Sequence, residues 1–141
     1  MLAFVVAAVS LAASVPQVAH ATTEECAVIV EIGRSRAAWG ASGPNQAFVI
    51  DGPEQDGTSY REDCNWQAFG VGAPSQPQNA DPRFAISRPR FGSDMKTATA
   101  ELQFVAPRGP AVAPFVSIEM CELRKHEGHW KLVACAQGPI T

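Results

Sequence analysis

Most short motifs that would tie a chain to a known chemistry are missing from this one. There is no Gly-x-x-x-x-Gly-Lys and no Gly-x-Gly-x-x-Gly, so no backbone loop is offered to a nucleotide phosphate. No Gly-x-Ser-x-Gly frames a serine, which leaves acyl transfer without a nucleophile elbow. Only three of the 141 residues are histidine and one is tyrosine. That is a thin supply of groups titrating near neutrality. Basic residues are scattered as Arg34/Arg36, Arg88/Arg90 and Arg124/Lys125, and the formal net charge is −3. A nucleic acid partner would need a basic stripe interleaved with aromatics, and none is present. No second apolar run follows the first, so no membrane span is expected. The expectation is a protein with no cofactor.

What the chain does have is an apolar beginning and four cysteines. Leu2 to Ala13 is interrupted only by Ser10. Ala19 and Ala21 then supply small side chains at the spacing a signal-removing peptidase needs. The run is shorter than the ~20 residues that span a bilayer. Residues 1–21 therefore read as a cleaved signal peptide and 22–141 as one domain, periplasmic or secreted. No Lys or Arg precedes the apolar run, so the positive charge of the leader comes from the Met1 amine or from residues upstream. In an oxidising compartment an even cysteine count implies bridges. Cys26, Cys64, Cys121 and Cys135 allow three pairings. A hairpin between the last two favours Cys121–Cys135, which leaves Cys26–Cys64. The absence of a close Cys-x-x-Cys argues against zinc.

Thr22-Thr23-Glu24-Glu25 fits a capping box, with Arg34 and Arg36 at the negative end of the helix it would open. Cys26, Ile29, Val30 and Gly33 then share a face. The same stretch also alternates as Cys26/Val28/Val30/Ile32, which a strand would do; the helix is preferred. Residues 40–45 read as a turn, Ala47–Ile50 as a strand, and 51–58 as a polar loop. Residues 60–69 look ordered, and 70–82 read as an exposed loop with little to bury. Phe84-Ala85-Ile86 opens a strand that Pro89 restricts to an edge or a bulge. Ala98, Ala100, Leu102 and Phe104 alternate with polar neighbours, as do Val116, Ile118 and Met120. Residues 126–129 make a turn, and Trp130, Leu132 and Ala134 return. A turn pairing Lys125 with Trp130 sets Cys121 against Ala134, one residue short of a bridge. One bulge between Trp130 and Cys135 corrects the register, placing Trp130/Leu132 on one face and Val133/Cys135 on the other. The fold class is α+β: an N-terminal helix packed on an antiparallel β-meander of four to five strands, with two disulfides. The alternative is a mainly β domain.

Each candidate site has an ordinary structural explanation beside it. His126 and His129 with Glu127 could hold a metal, but turns are normally polar, and no metal site is assigned. Asp63 or Glu62 beside Tyr60 could act as a general acid or base; solvated charges flanking a disulfide explain the segment as well. Arg88 and Arg90 could grip a carboxylate or phosphate, or guard a sheet edge. No catalytic residue is assigned.

The segments Asp63-Cys64-x-Trp66, Phe84-x-Ile86-Ser87-Arg88-Pro89-x-Phe91, Cys121-x-Leu123-Arg124 and Gly128-x-Trp130-x-Leu132-Val133-x-Cys135 resemble a group of exported bacterial proteins of unassigned function. The closing Gly-x-Trp-Lys is also similar to α+β folds of the nuclear-transport-factor-2 type, which often hold a small apolar ligand; their long N-terminal helices are missing here. Neither likeness brings catalytic residues. The expected function is a non-catalytic binding or structural role with a protein or small-ligand partner. The alternative is a carrier whose helix–sheet pocket is lined by Phe48, Trp66, Leu102, Phe104 and Trp130. Third comes an enzyme, hydrolytic or metal-dependent, using His126, His129 or Asp63.

Overall fold

The computed structural model describes residues 20–37, 39–40, 47–50, 60–73 and 82–140, without the side chains of 47–50, 83, 139 and 140. Most of the leader, most of the turn at 40–45, the loop at 51–58, residues 74–81 and the Phe48 side chain lie outside that set. The architecture is α+β. Helix α1 (Thr23–Ala37) lies against a six-stranded sheet ordered β1-β2-β4-β5-β6. Its strands are β1 (Ala47–Ile50), β2 (Arg83–Ile86), β3 (Arg90–Phe91), β4 (Thr97–Ala106), β5 (Phe115–His126) and β6 (His129–Ile140), with β3 paired to β4. A short helix α2 (Tyr60–Asp63) and a 3-10 turn (Trp66–Phe69) complete the fold. Among the described residues no helix is long and apolar enough to cross a membrane.

Helix wins over strand at residues 23–37 because its first turn is capped and its flanks are both covered. Thr22 Oγ1 accepts the Glu25 N–H at 3.2 Å, and Glu25 Oε1 accepts the Thr22 N–H at 3.4 Å, which is the reciprocal box. Cys26, Val28, Ile29, Val30, Ile32 and Gly33 are all buried. Burial of Val28 and Ile32 together with the Cys26/Ile29/Val30/Gly33 stripe explains why the apolar pattern also read as a strand. Cys26 is bridged to Cys64 with Cα atoms 5.6 Å apart, and Gly33 meets the ring of Trp39. From the same helix Glu24, Glu31 and Arg36 reach the sheet.

The meander follows the expected antiparallel order from β2 to β6. Its first strand does not: β1 pairs β2 in parallel, Ala47 opposite Arg83. The strand carrying Pro89 runs on one side of β4 in two pieces. Ser87, Arg88 and Pro89 oppose only Ala100 and Glu101, which makes a bulge. Ser87 N–H donates to Glu101 O at 2.9 Å, and Ser87 Oγ accepts the Glu101 N–H at 2.8 Å, so the hydroxyl takes the place of a ladder carbonyl at the bulge.

The final hairpin has its bulge at Val133: Leu123 pairs Leu132 and Glu122 pairs Ala134, so Cys121 comes opposite Cys135. The bridge forms there with Cα atoms 4.0 Å apart. Directly opposed residues share a face, so the bulge brings Cys135 onto the same face as Trp130 and Leu132, while Val133 stands half-exposed outside. The expected assignment of Cys135 to the opposite face overlooked that change of parity. The turn is tighter than a four-residue loop. His126 pairs with His129, and Glu127 and Gly128 turn the chain with φ of 50° and 81°, the sign that two-residue hairpin turns require.

One further expectation needs correction. Val71, placed in an exposed loop, is buried beside Trp66, Trp39 and Tyr60. On β5 the buried set is Cys121 and Leu123, so Val116, Ile118 and Met120 lie on the outer face of the sheet.

Candidate functional site

Strand and helix lengths decide where a hollow is left. A 15-residue helix is roughly 22 Å long, whereas the 12 residues of β5 run roughly 40 Å. α1 therefore covers only part of the inner face. Beyond its C-terminal turn, alternation keeps Phe104 on the helix side of β4, with Phe84 its register partner on β2. Phe115 and Ser117 follow on the same side of β5. Phe84, Phe104, Phe115, Leu102, Ser117, Glu119 and Arg36 line a hollow of about 220 Å³. The Phe84 and Phe104 rings lie 5.0 Å apart, tilted, and the Arg108 guanidinium stands 5.6 Å over the Phe115 ring. The three phenylalanines are half-buried. At the rim Arg36 Nη2 donates to both Glu119 oxygens, at 2.6 and 2.8 Å.

Two other hollows are larger. One, about 380 Å³, opens at the β2–β3 bulge and is lined by Ser87, Arg88, Pro89, Arg90, Thr99, Ala100, Glu101 and Met120. The other, about 330 Å³, runs between α1 and the hairpin and includes Glu24, Glu31, Arg34, His129, Trp130 and Lys131.

Three glutamates of α1 are engaged where the helix meets the sheet. Glu25, 4% exposed, accepts from Arg88 Nε at 2.9 Å, from Arg88 Nη2 at 3.3 Å and from the Tyr60 hydroxyl at 3.2 Å. Arg88 thus holds a carboxylate of its own chain. Glu24 accepts from Lys125 Nζ at 3.0 Å and Trp130 Nε1 at 2.7 Å. Lys125 first and Trp130 second hold the Glu24 carboxyl below its ordinary range. Glu31 takes the backbone N–H of Leu132 at 3.3 Å, blunting the edge of β6.

Set against the sequence candidates, Phe104 and Leu102 do line the aromatic hollow, whereas Trp66 is packed in the core and lines none of the three hollows. Trp130 is buried against Phe91, its ring centroid 5.6 Å away, and shows only an edge to the hairpin hollow. Arg90 is exposed on the outer face. His126 and Glu127 lie 3.8 Å apart with both side chains more than 80% exposed, and His129 is exposed too. Asp63 is bonded to Ala21 N–H at 2.9 Å and lies 3.1 Å from His20 Nδ1. Among the described residues the one cluster with metal-ligand spacing is Glu119, Cys121 and Cys135, and its two sulfurs are joined to each other. Sequence reasoning missed Phe84 and Phe115 as lining residues. The signal was available: both fall in phase with Phe104 once strand parity is set by Cys121 and Leu123.

No family model, no curated protein and no solved structure matches this chain.

Proposed function

We propose that the chain is an exported, non-catalytic binding domain, periplasmic or secreted after loss of residues 1–21, that seats one large apolar side chain of a protein partner in the aromatic hollow. The observation that carries this is the row of half-buried Phe84, Phe104 and Phe115 around about 220 Å³. Small-molecule pockets are usually ~300–1,000 Å³, so the hollow is undersized for a carried ligand. A single anchor side chain within a polar rim is the common arrangement at protein interfaces, and Arg36–Glu119 supplies such a rim. The two disulfides and the motifs resembling exported bacterial proteins support the compartment.

N-acetyl-phenylalanine amide, titrated against the oxidised protein and followed by NMR, should shift the rings of Phe84, Phe104 and Phe115 with a Kd of about 1 mM or weaker. Phe104→Ser should abolish the shifts, while Met120→Glu should leave them intact. Tight binding of a fatty acid or sterol would favour the carrier reading. Shifts confined to the outer face would remove the hollow from consideration.

A second reading has its own observation. Met120 and Val133 are 50% and 51% exposed on the outer face. A partner docked there would be lost with Met120→Glu and retained with Phe104→Ser.

A further inference from the structure

Three consecutive residues at the proposed processing point feed two carboxylates. His20 Nδ1 lies 3.1 Å from Asp63 Oδ1, Ala21 N–H donates to Asp63 Oδ2 at 2.9 Å, and Thr22 N–H approaches Glu25 Oε1 at 3.4 Å. Hydrolysis of the Ala21–Thr22 amide consumes one water. It leaves a carboxylate on Ala21, which departs with the leader, and an ammonium on Thr22.

We propose that the Thr22 α-ammonium released by leader removal joins Arg88 as the second cation of the Glu25 cluster, so that processing completes the ion cluster at the start of α1. This rests on the leader reading above. The new terminus is already held where it must act. Thr22 O accepts the Cys26 N–H at 3.0 Å and Thr22 Oγ1 accepts the Glu25 N–H. Cys26 in turn is bridged to Cys64, the neighbour of Asp63. The amine cannot swing away without opening the first helical turn.

Charge count favours the exchange. Before the cut, Glu25 faces the Arg88 guanidinium, and Asp63 faces the exposed His20 ring and the Ala21 N–H. After it, His20 is gone and a full positive charge stands beside Glu25. Glu24 on the other flank is engaged with Lys125, and the Tyr60 hydroxyl also donates to Glu25.

One effect opposes this. A helix N-terminus carries about half a positive charge and disfavours a cation. That half charge is spread over the first turn, whereas Glu25 is a whole charge, nearly dry and in direct reach. The carboxylate should win, and the sign of a stability difference decides the matter.

The processed protein is recovered from an exporting host, and intact mass gives its first residue. Part of it is acetylated at the α-amine in urea with disulfides intact, the single adduct is located by mass spectrometry, and both samples are refolded. At about pH 6 the free-amine form should have a folding equilibrium constant about tenfold larger, equivalent to one pKa unit on the amine. An amine stabilised as a cation in the fold contributes fully below its unfolded value of ~7.7–8.0 and loses that contribution as pH rises through the folded value. The gap should therefore close by about pH 10. Equal stability at pH 6, or a more stable acetylated form, overturns the proposal while leaving the leader reading intact. A mature chain starting at any residue other than Thr22 overturns both.

Discussion

Removing Arg88 isolates the most deeply buried charge in the described structure. Glu25 is 4% exposed, and Arg88 supplies two of its charge-assisted contacts. In Arg88→Met the apolar stem is largely kept and the guanidinium is lost. Leaving one member of a buried ion pair uncompensated typically costs about 3–5 kcal/mol. A ceiling comes from protonation. An isolated carboxylate escapes by taking a proton, at about 1.4 kcal/mol for each pH unit above the ordinary glutamate value of ~4.3. At pH 7 that is about 4 kcal/mol, a large share of the ~5–15 kcal/mol that holds a domain together. At pH 5 it falls to about 1 kcal/mol. In protein acetylated at the Thr22 α-amine, where no second cation faces Glu25, urea unfolding under non-reducing conditions should therefore show Arg88→Met destabilised by about 3–4 kcal/mol at pH 7 and by about 1 kcal/mol at pH 5. The double variant Glu25→Gln/Arg88→Met should recover most of the loss. A single-variant loss under about 1 kcal/mol at pH 7, unchanged at pH 5, would show that the pair is not buried and that Arg88 is available for something else.

Other outcomes follow from the packing and the turn. Gly33→Ala should gain about 1 kcal/mol in helix propensity, but its new methyl would run into the buried Trp39 ring. Overpacking of that kind costs about 1–3 kcal/mol, so thermal unfolding should show net destabilisation; an unchanged or higher Tm would mean the ring has room to move. Glu24→Gln should be less stable than the parent at pH 7, measured by urea unfolding. The Glu24 carboxyl is held low by Lys125 and Trp130, so its contribution is present above the unfolded value and fades as pH falls through the folded one. The gap should narrow as pH falls below the ordinary glutamate value and close once pH is below the folded one, and a gap that persists in the acid limit would assign the loss to packing. Glu127→Asn should raise stability by about 0.5 kcal/mol in the same assay, because φ at that position is 50° and Asn-Gly suits the turn. A loss would mean Glu127 is doing more than turning the chain.

How far the sequence could be read depended on the range of the interaction. The capping box at Thr22–Glu25 is local, and it gave the correct helix despite a β-branched run. The hairpin register is nearly local, and counting residues between Trp130 and Cys135 was enough to require the bulge found at Val133. Face assignment failed just beyond it, since one extra residue inverts the side on which Cys135 falls. The parallel pairing of β1 with β2 joins segments more than thirty residues apart, and no periodicity announces it. Glu25 read as a capping-box residue and Arg88 as a ligand clamp or an edge guard; their partnership spans 63 positions. The aromatic hollow was half legible. Phe104 stood in a clean alternation, whereas Phe84 and Phe115 sit at strand ends, where phase is set by partners. Val71 was missed because its neighbours are loop-forming residues and only tertiary packing buries it.

The central proposal is a fold closed by two sulfur bridges in a chain that is exported and processed. Its most direct test is non-reducing peptide mapping by mass spectrometry of the protein recovered from the exported fraction of the expressing cell. The expected result is Cys26 linked to Cys64 and Cys121 linked to Cys135, in a polypeptide that begins at Thr22. Four free thiols, or a bridge joining the N-terminal pair to the hairpin pair, would contradict it.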